Sequence, residues 1–124
     1  MKQSTIDLIK IYNPKGRDWM NFKMKKNNQY TFHHIVKSEH GGTFDITNGA
    51  LLTSMAHKYI HVIEQDDKEL YDKLNILFKI INDSKKAPTE EIIKEIIDCL
   101  ENYQISNKYS KKHKKENYQK LYLK

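Results

Sequence analysis

Tyr30-Thr-Phe-His33-His34-Ile-Val36 and Asn48-Gly-Ala-Leu-Leu-Thr-Ser-Met-Ala-His57-Lys-Tyr-Ile-His61 decide how this chain is read. The first stretch is rich in aromatic and β-branched residues, which is a strand signature. In the second, Asn48-Gly49 opens a short extended piece through Leu52, and Ser54 is placed to cap a helix from Met55 to about Glu64. Between the two stretches, Gly41-Gly42 interrupts the chain and marks a reversal. Strand, strand and helix therefore follow one another directly. Five of the six histidines lie between positions 33 and 61, inside this unit.

Imidazole is the commonest protein metal ligand and a proton acceptor near neutral pH. His57 and His61 are four residues apart in a helical pattern, so both rings project from one helical face and can share a cation. Adjacent strand residues point to opposite faces. A single centre using both His33 and His34 would therefore need the strand to end or distort there. The bland reading of each piece is a polar helical face, a structural pair at a strand end, and an ordinary Asn-Gly turn. Their combination at these offsets is what favours a site.

Order and spacing together resemble the HNH family of ββα-metal nucleases, in particular the His-His variant of nuclease colicins, over roughly residues 30 to 64. The resemblance implies that His33, His57 and His61 are metal ligands and that His34 is the general base. It makes Asn48 the central asparagine that holds the loop and orients the base. The nine residues from Asn48 to His57, then four to His61, fit the family pattern. The implied reaction is phosphodiester hydrolysis with one divalent ion, Zn²⁺, Ni²⁺, Mn²⁺ or Mg²⁺, and a neutral His34 taking a proton from water. Three histidines suit the first three ions better than calcium.

Outside this unit the pattern is helical. Leu70, Tyr71, Leu74, Leu77, Phe78 and Ile81 form one three-and-four stripe, with Asp66 and Asp67 at its N-terminal end. Ser84 to Pro88 breaks it, and Thr89 can cap a second stripe of Ile92, Ile93, Ile96, Ile97, Leu100 and Tyr103. Both stripes read as core, packed as an antiparallel pair over the ββα unit. Residues 1 to 12, with Ile6, Leu8, Ile9 and Ile11, fit either a strand or a helical turn, and Asp18 to Met24 suggests a short helix. The expected fold class is thus α+β, an HNH-like ββα-metal module packed against a C-terminal helical hairpin. The expected organisation is a single domain over 1–105 (metal core about 30–64, helical pair about 66–104) and a basic tail over 106–124 that includes His113, Tyr109, Tyr118 and Tyr122.

The chain has 124 residues, enough for one modest core without staples. Mean hydropathy is −0.83, and the apolar runs are far too short to span a bilayer. Met1-Lys-Gln-Ser-Thr-Ile-Asp lacks the apolar region of a signal peptide, so the expected compartment is the cytoplasm and no membrane partner is expected. Cys99 is the only cysteine, which excludes an intramolecular disulfide and a cysteine zinc scaffold. Twenty-two basic against sixteen acidic residues give a net charge of +6, which favours a polyanionic partner such as nucleic acid. Charge does not separate DNA from RNA, and DNA is the expectation that goes with the nuclease resemblance. Lys25, Lys37 and Lys58 flank the cluster and can contact phosphates, as can Arg17, the only arginine. No base-reading motif is present, and no dimerisation motif either, although a homodimer would make paired cuts natural. The rival classes are a non-catalytic HNH-fold protein of phage or mobile-element type, holding nucleic acid or a defence protein, and a structural zinc protein that chelation would unfold.

Overall fold

The computed structural model describes residues 1–111, and the side chains as far as residue 106. The chain is α+β. A helix α1 (Gln3–Tyr12) precedes the antiparallel strands β1 (Tyr30–His34) and β2 (Gly49–Thr53), then helices α2 (Ser54–Asp66), α3 (Lys68–Ser84) and α4 (Glu90–Lys111). Short 3₁₀ turns at Ser38–His40 and Ile46–Asn48 sit between the strands. Among the described residues no helix is long and apolar enough to cross a membrane. His113, Tyr109, Tyr118 and Tyr122 lie outside the described side chains, while α4 itself continues to Lys111, into the segment read as a basic tail.

The first twelve residues resolve as a helix. Its inward stripe is Thr5, Leu8 and Tyr12, a three-and-four spacing that the apolar set alone did not display. Asn13 closes it in the left-handed region at φ 44°, and Pro14 follows, so the helix cannot continue. The short helix expected over Asp18 to Met24 does not form. Asp18 instead spends its carboxylate on the backbone N–H groups of Met20 and Phe22, each at 2.8 Å, which folds a turn around Trp19 and Met20. An Asp side chain bonding two residues ahead competes with helix in this way.

In the sheet, Thr31 faces Leu52, His33 faces Ala50 and His34 faces Gly49. Gly49 has no room for a Cβ, which would stand 2.5 Å from Phe32 and 2.7 Å from Leu8. Thr53 rather than Ser54 is the N-cap of α2, its hydroxyl accepting from the Ala56 N–H. Ala56, Ile60 and Ile63 turn inward from α2, leaving Val62 exposed and Tyr59 packed between Phe22 and Tyr103. The stripe read for α3 is core, anchored by Phe78 beside Trp19. Asp67 caps α3, and the Thr89 hydroxyl accepts from Ile92 N–H at the start of α4. Cys99 is a free, half-buried packing residue.

Two asparagines, Asn75 and Asn82, also lie on the buried face of α3. Asn82 donates to the carbonyls of Ile46 and Gly49, fastening the start of β2 to the helix. Helix α3 thereby sets the position of the loop as well as covering the sheet.

Candidate metal centre

Thr31 and His33 alternate onto the face of β1 that meets α2 and α3. His33 is 1% exposed, its ring set against Tyr71 and Phe78 of α3 and edge-on to His57 of α2. His57 and His61 stack at 5.1 Å, as their four-residue spacing dictates. One ligating atom from each of His33, His57 and His61 lies within 4.8 Å of the others. Two nitrogens bound tetrahedrally to one zinc ion at about 2.1 Å stand about 3.4 Å apart, so the trio would draw in by up to about 1.4 Å to share a cation.

Each of the three rings has one nitrogen engaged. His33 Nε2 is 2.8 Å from Asn75 Oδ1, His57 Nδ1 is 2.9 Å from Thr31 Oγ1, and His61 Nδ1 is 3.1 Å from Glu64 Oε1. The other nitrogen of His33, Nδ1, is buried and has no protein partner. A buried, unpaired ring nitrogen is costly unless something fills its lone pair. That orphan is the structural sign that the residues fit a cation.

His34, on the opposite face of β1, is held edge-on by Phe32 and Phe44. Because the strand ends there, His34 nevertheless lines the same cleft of about 140 Å³ as His33, His57 and His61, together with Lys37, Ser38 and Tyr71. Its Nε2 is buried without a hydrogen-bond partner. Burial first, and Lys2 second, hold the His34 pKa below the ordinary value, so the ring is neutral at pH 7. His57 is lowered likewise, by burial and then by His61 and His34.

Asn48 does not bond His34. It closes the loop between the strands, accepting from Val36 N–H and donating to the carbonyls of Val36 and Thr43. Gly42 lies against this closure, where a Cβ would be 1.7 Å from the Val36 oxygen. Gly41, at φ 92°, supplies the reversal.

Of the lysines expected to meet phosphate, Lys37 lines the cleft but is bonded to Glu39 and Glu64, each at 2.7 Å. Glu64 is pushed up by burial, yet the bonds from Lys37 and His61 outweigh this and hold it below the usual carboxylate range. Lys25 and Lys58 are exposed, Lys58 on α2 itself. Arg17 donates to the Asn21 carbonyl and borders a separate cavity beside α4. Thr31, Asn75 and Glu64 were not singled out from the sequence, and neither was Lys2, whose ammonium sits 3.7 Å over the Phe44 ring next to His34. Asn75 could have been noticed, with Asn82, as a polar residue on the apolar face of α3, but its pairing with His33 could not. The others carry no sequence signal.

His33 has a pKa lowered to about 3 from 6.5, chiefly by burial. Below pH 6.5 the unfolded chain gains a proton that the folded ring refuses, so stability is complete above that value and falls as pH drops towards 3. At about 1.4 kcal/mol per pH unit, metal-free protein should lose about 2 kcal/mol between pH 6.5 and 5. Urea unfolding at the two pH values measures this. A slope no steeper than that of His33→Leu would refute the assignment.

Comparison of the chain with family models, with curated proteins and with solved structures finds no match.

Proposed function

We propose that the chain is a metal-dependent endonuclease of HNH type, hydrolysing phosphodiester bonds of nucleic acid, with DNA the first substrate to test. The observation carrying this reading is the three-histidine cluster, one ring from β1 and two from α2, with a fourth imidazole opening on the same cleft. The consecutive order β1, β2, α2, with Asn48 at the turn into β2, supports it. The net charge of +6 supports a polyanionic substrate.

His33, His57 and His61 would hold the ion, and three neutral nitrogen donors favour zinc, nickel or manganese over calcium. When bound, such an ion neutralises charge developing on the phosphate and on the departing 3′ oxygen. His34, neutral and untethered by any hydrogen bond among the described residues, takes the proton from the attacking water. Phe32 and Phe44 keep its ring at the cleft wall. Lys2, whose ammonium lies over Phe44 beside that ring, would be the nearest cation on that side for a backbone phosphate.

Incubating supercoiled plasmid with the protein and Mg²⁺, Mn²⁺, Ni²⁺ or Zn²⁺ tests the proposal. Nicked or linear product that disappears with chelator and returns with the ion is the expected result. An intact plasmid and intact single-stranded DNA and RNA, with protein shown to be metal-loaded, would move the assignment to a binding role.

A further inference from the structure

We propose that Asn75 and Thr31 are positioning residues that present opposite ring nitrogens, Nδ1 of His33 and Nε2 of His57, to one divalent cation. The inference rests on the metal reading of the cluster.

The directions of the hydrogen bonds fix the tautomers. The Tyr71 backbone carbonyl can only accept, so the Asn75 atom 3.1 Å from it must be the amide NH₂. That leaves the Asn75 oxygen facing His33 Nε2, which must then carry the proton and donate. The lone pair of His33 is consequently on Nδ1, the atom that is buried and has no partner. Thr31 follows the same logic. Its hydroxyl proton is spent on the Leu52 carbonyl at 2.7 Å, so Oγ1 has only lone pairs to offer His57. His57 Nδ1 must donate to it, and the free lone pair of His57 is on Nε2.

Opposite nitrogens suit the two ligands' places in the fold. Nδ1 is the ring nitrogen nearer the main chain, appropriate to a strand residue lying directly beneath the helix. Nε2 is the farther one, appropriate to a helix reaching across. Partners of this kind hold a ligand ring in orientation and raise its basicity. His61 is held more loosely, since its ring is half exposed and its Glu64 contact is 3.1 Å.

Long-range ¹H–¹⁵N NMR of the metal-free protein at pH 8 tests the assignment without any variant. His33 should be Nε2–H, and His57 should be Nδ1–H, the rarer tautomer of free histidine. Finding His33 as Nδ1–H or His57 as Nε2–H overturns the inference. Competition of Zn²⁺ between the protein and a chromogenic chelator tests the consequence. Asn75→Leu and Thr31→Val should each weaken Zn²⁺ affinity about 10- to 100-fold, and Thr31→Val should shift His57 towards Nε2–H. Variants that lower the unfolding midpoint but leave tautomer and affinity unchanged would show a structural role only, and overturn it. Wild-type protein with the stated tautomers but no Zn²⁺ uptake would overturn the metal reading, and the ligand assignment with it.

Discussion

His34→Ala should lower metal-dependent cleavage by about 10²- to 10⁴-fold, the range of a general base, while leaving the ion bound. The two effects separate because His34 is on the other face of β1 from the ligand set. Its ring rests on Phe32 and Phe44, and no hydrogen bond among the described residues joins it to His33, His57 or His61. Truncating it opens space at the cleft wall without removing a nitrogen of the three-histidine cluster. On the proposed reading His57→Ala should lose cleavage and ion binding together, since it removes one of the three rings that could hold a cation. Cleavage rates at saturating ion, measured beside Zn²⁺ affinity for both variants, distinguish the roles. Equal cleavage by His34→Ala and wild type would remove His34 from the chemistry. Equal loss of affinity in both variants would make His34 part of the ligand set instead.

The division between the two histidines was partly legible in the sequence. Only the resemblance to the HNH family put His33 rather than His34 with His57 and His61. From local rules alone, alternation along a strand separates neighbours and a four-residue helical spacing aligns two rings, so the pair on the helix could be read. The groups that hold those rings could not. Asn75 is 42 positions from His33, and Thr31 is 26 from His57. Such pairings exist only once α3 has packed on the sheet, and no periodicity encodes them. The same limit explains α1. Ile6, Leu8, Ile9 and Ile11 contain both a two-residue and a three-residue repeat, and the buried stripe is settled by Thr5 and by Tyr12, whose hydroxyl reaches the Asn82 carbonyl 70 residues away. The stripe of α3 was legible as core, but its second function was hidden in its two buried asparagines. One holds the His33 ring and the other holds the start of β2.

Asp18→Asn should destabilise the protein by about 2–4 kcal/mol, through donors left facing a donor. Asp18 is 2% exposed and receives four hydrogen bonds. Oδ1 takes the N–H groups of Met20 and Phe22, and Oδ2 takes both the N–H and the hydroxyl of Thr53, all at 2.8 Å. An amide matches only one of these oxygens. Whichever way it is turned, its NH₂ confronts at least one buried backbone N–H that has no other place to donate. Burial nevertheless holds the Asp18 pKa above its ordinary value, against the pull of the bonds from Thr53, Phe22 and Met20. For an acid raised on folding, stability is greatest below the unfolded pKa and declines as pH rises through the folded one. The charge therefore carries a cost at neutral pH, which an uncharged side chain would avoid. The two effects oppose each other, and the four donors should win because a protonated or amidated group must point a hydrogen at one of them. Thr53 is also the N-cap of α2, so a disturbed Asp18 loosens the start of the helix that carries His57 and His61. Urea unfolding of Asp18→Asn beside wild type at pH 7 decides between the effects. A loss of stability accompanied by weaker Zn²⁺ binding follows if Asp18 fixes the junction between β2 and α2. A gain in stability would mean that the buried charge outweighs its four hydrogen bonds.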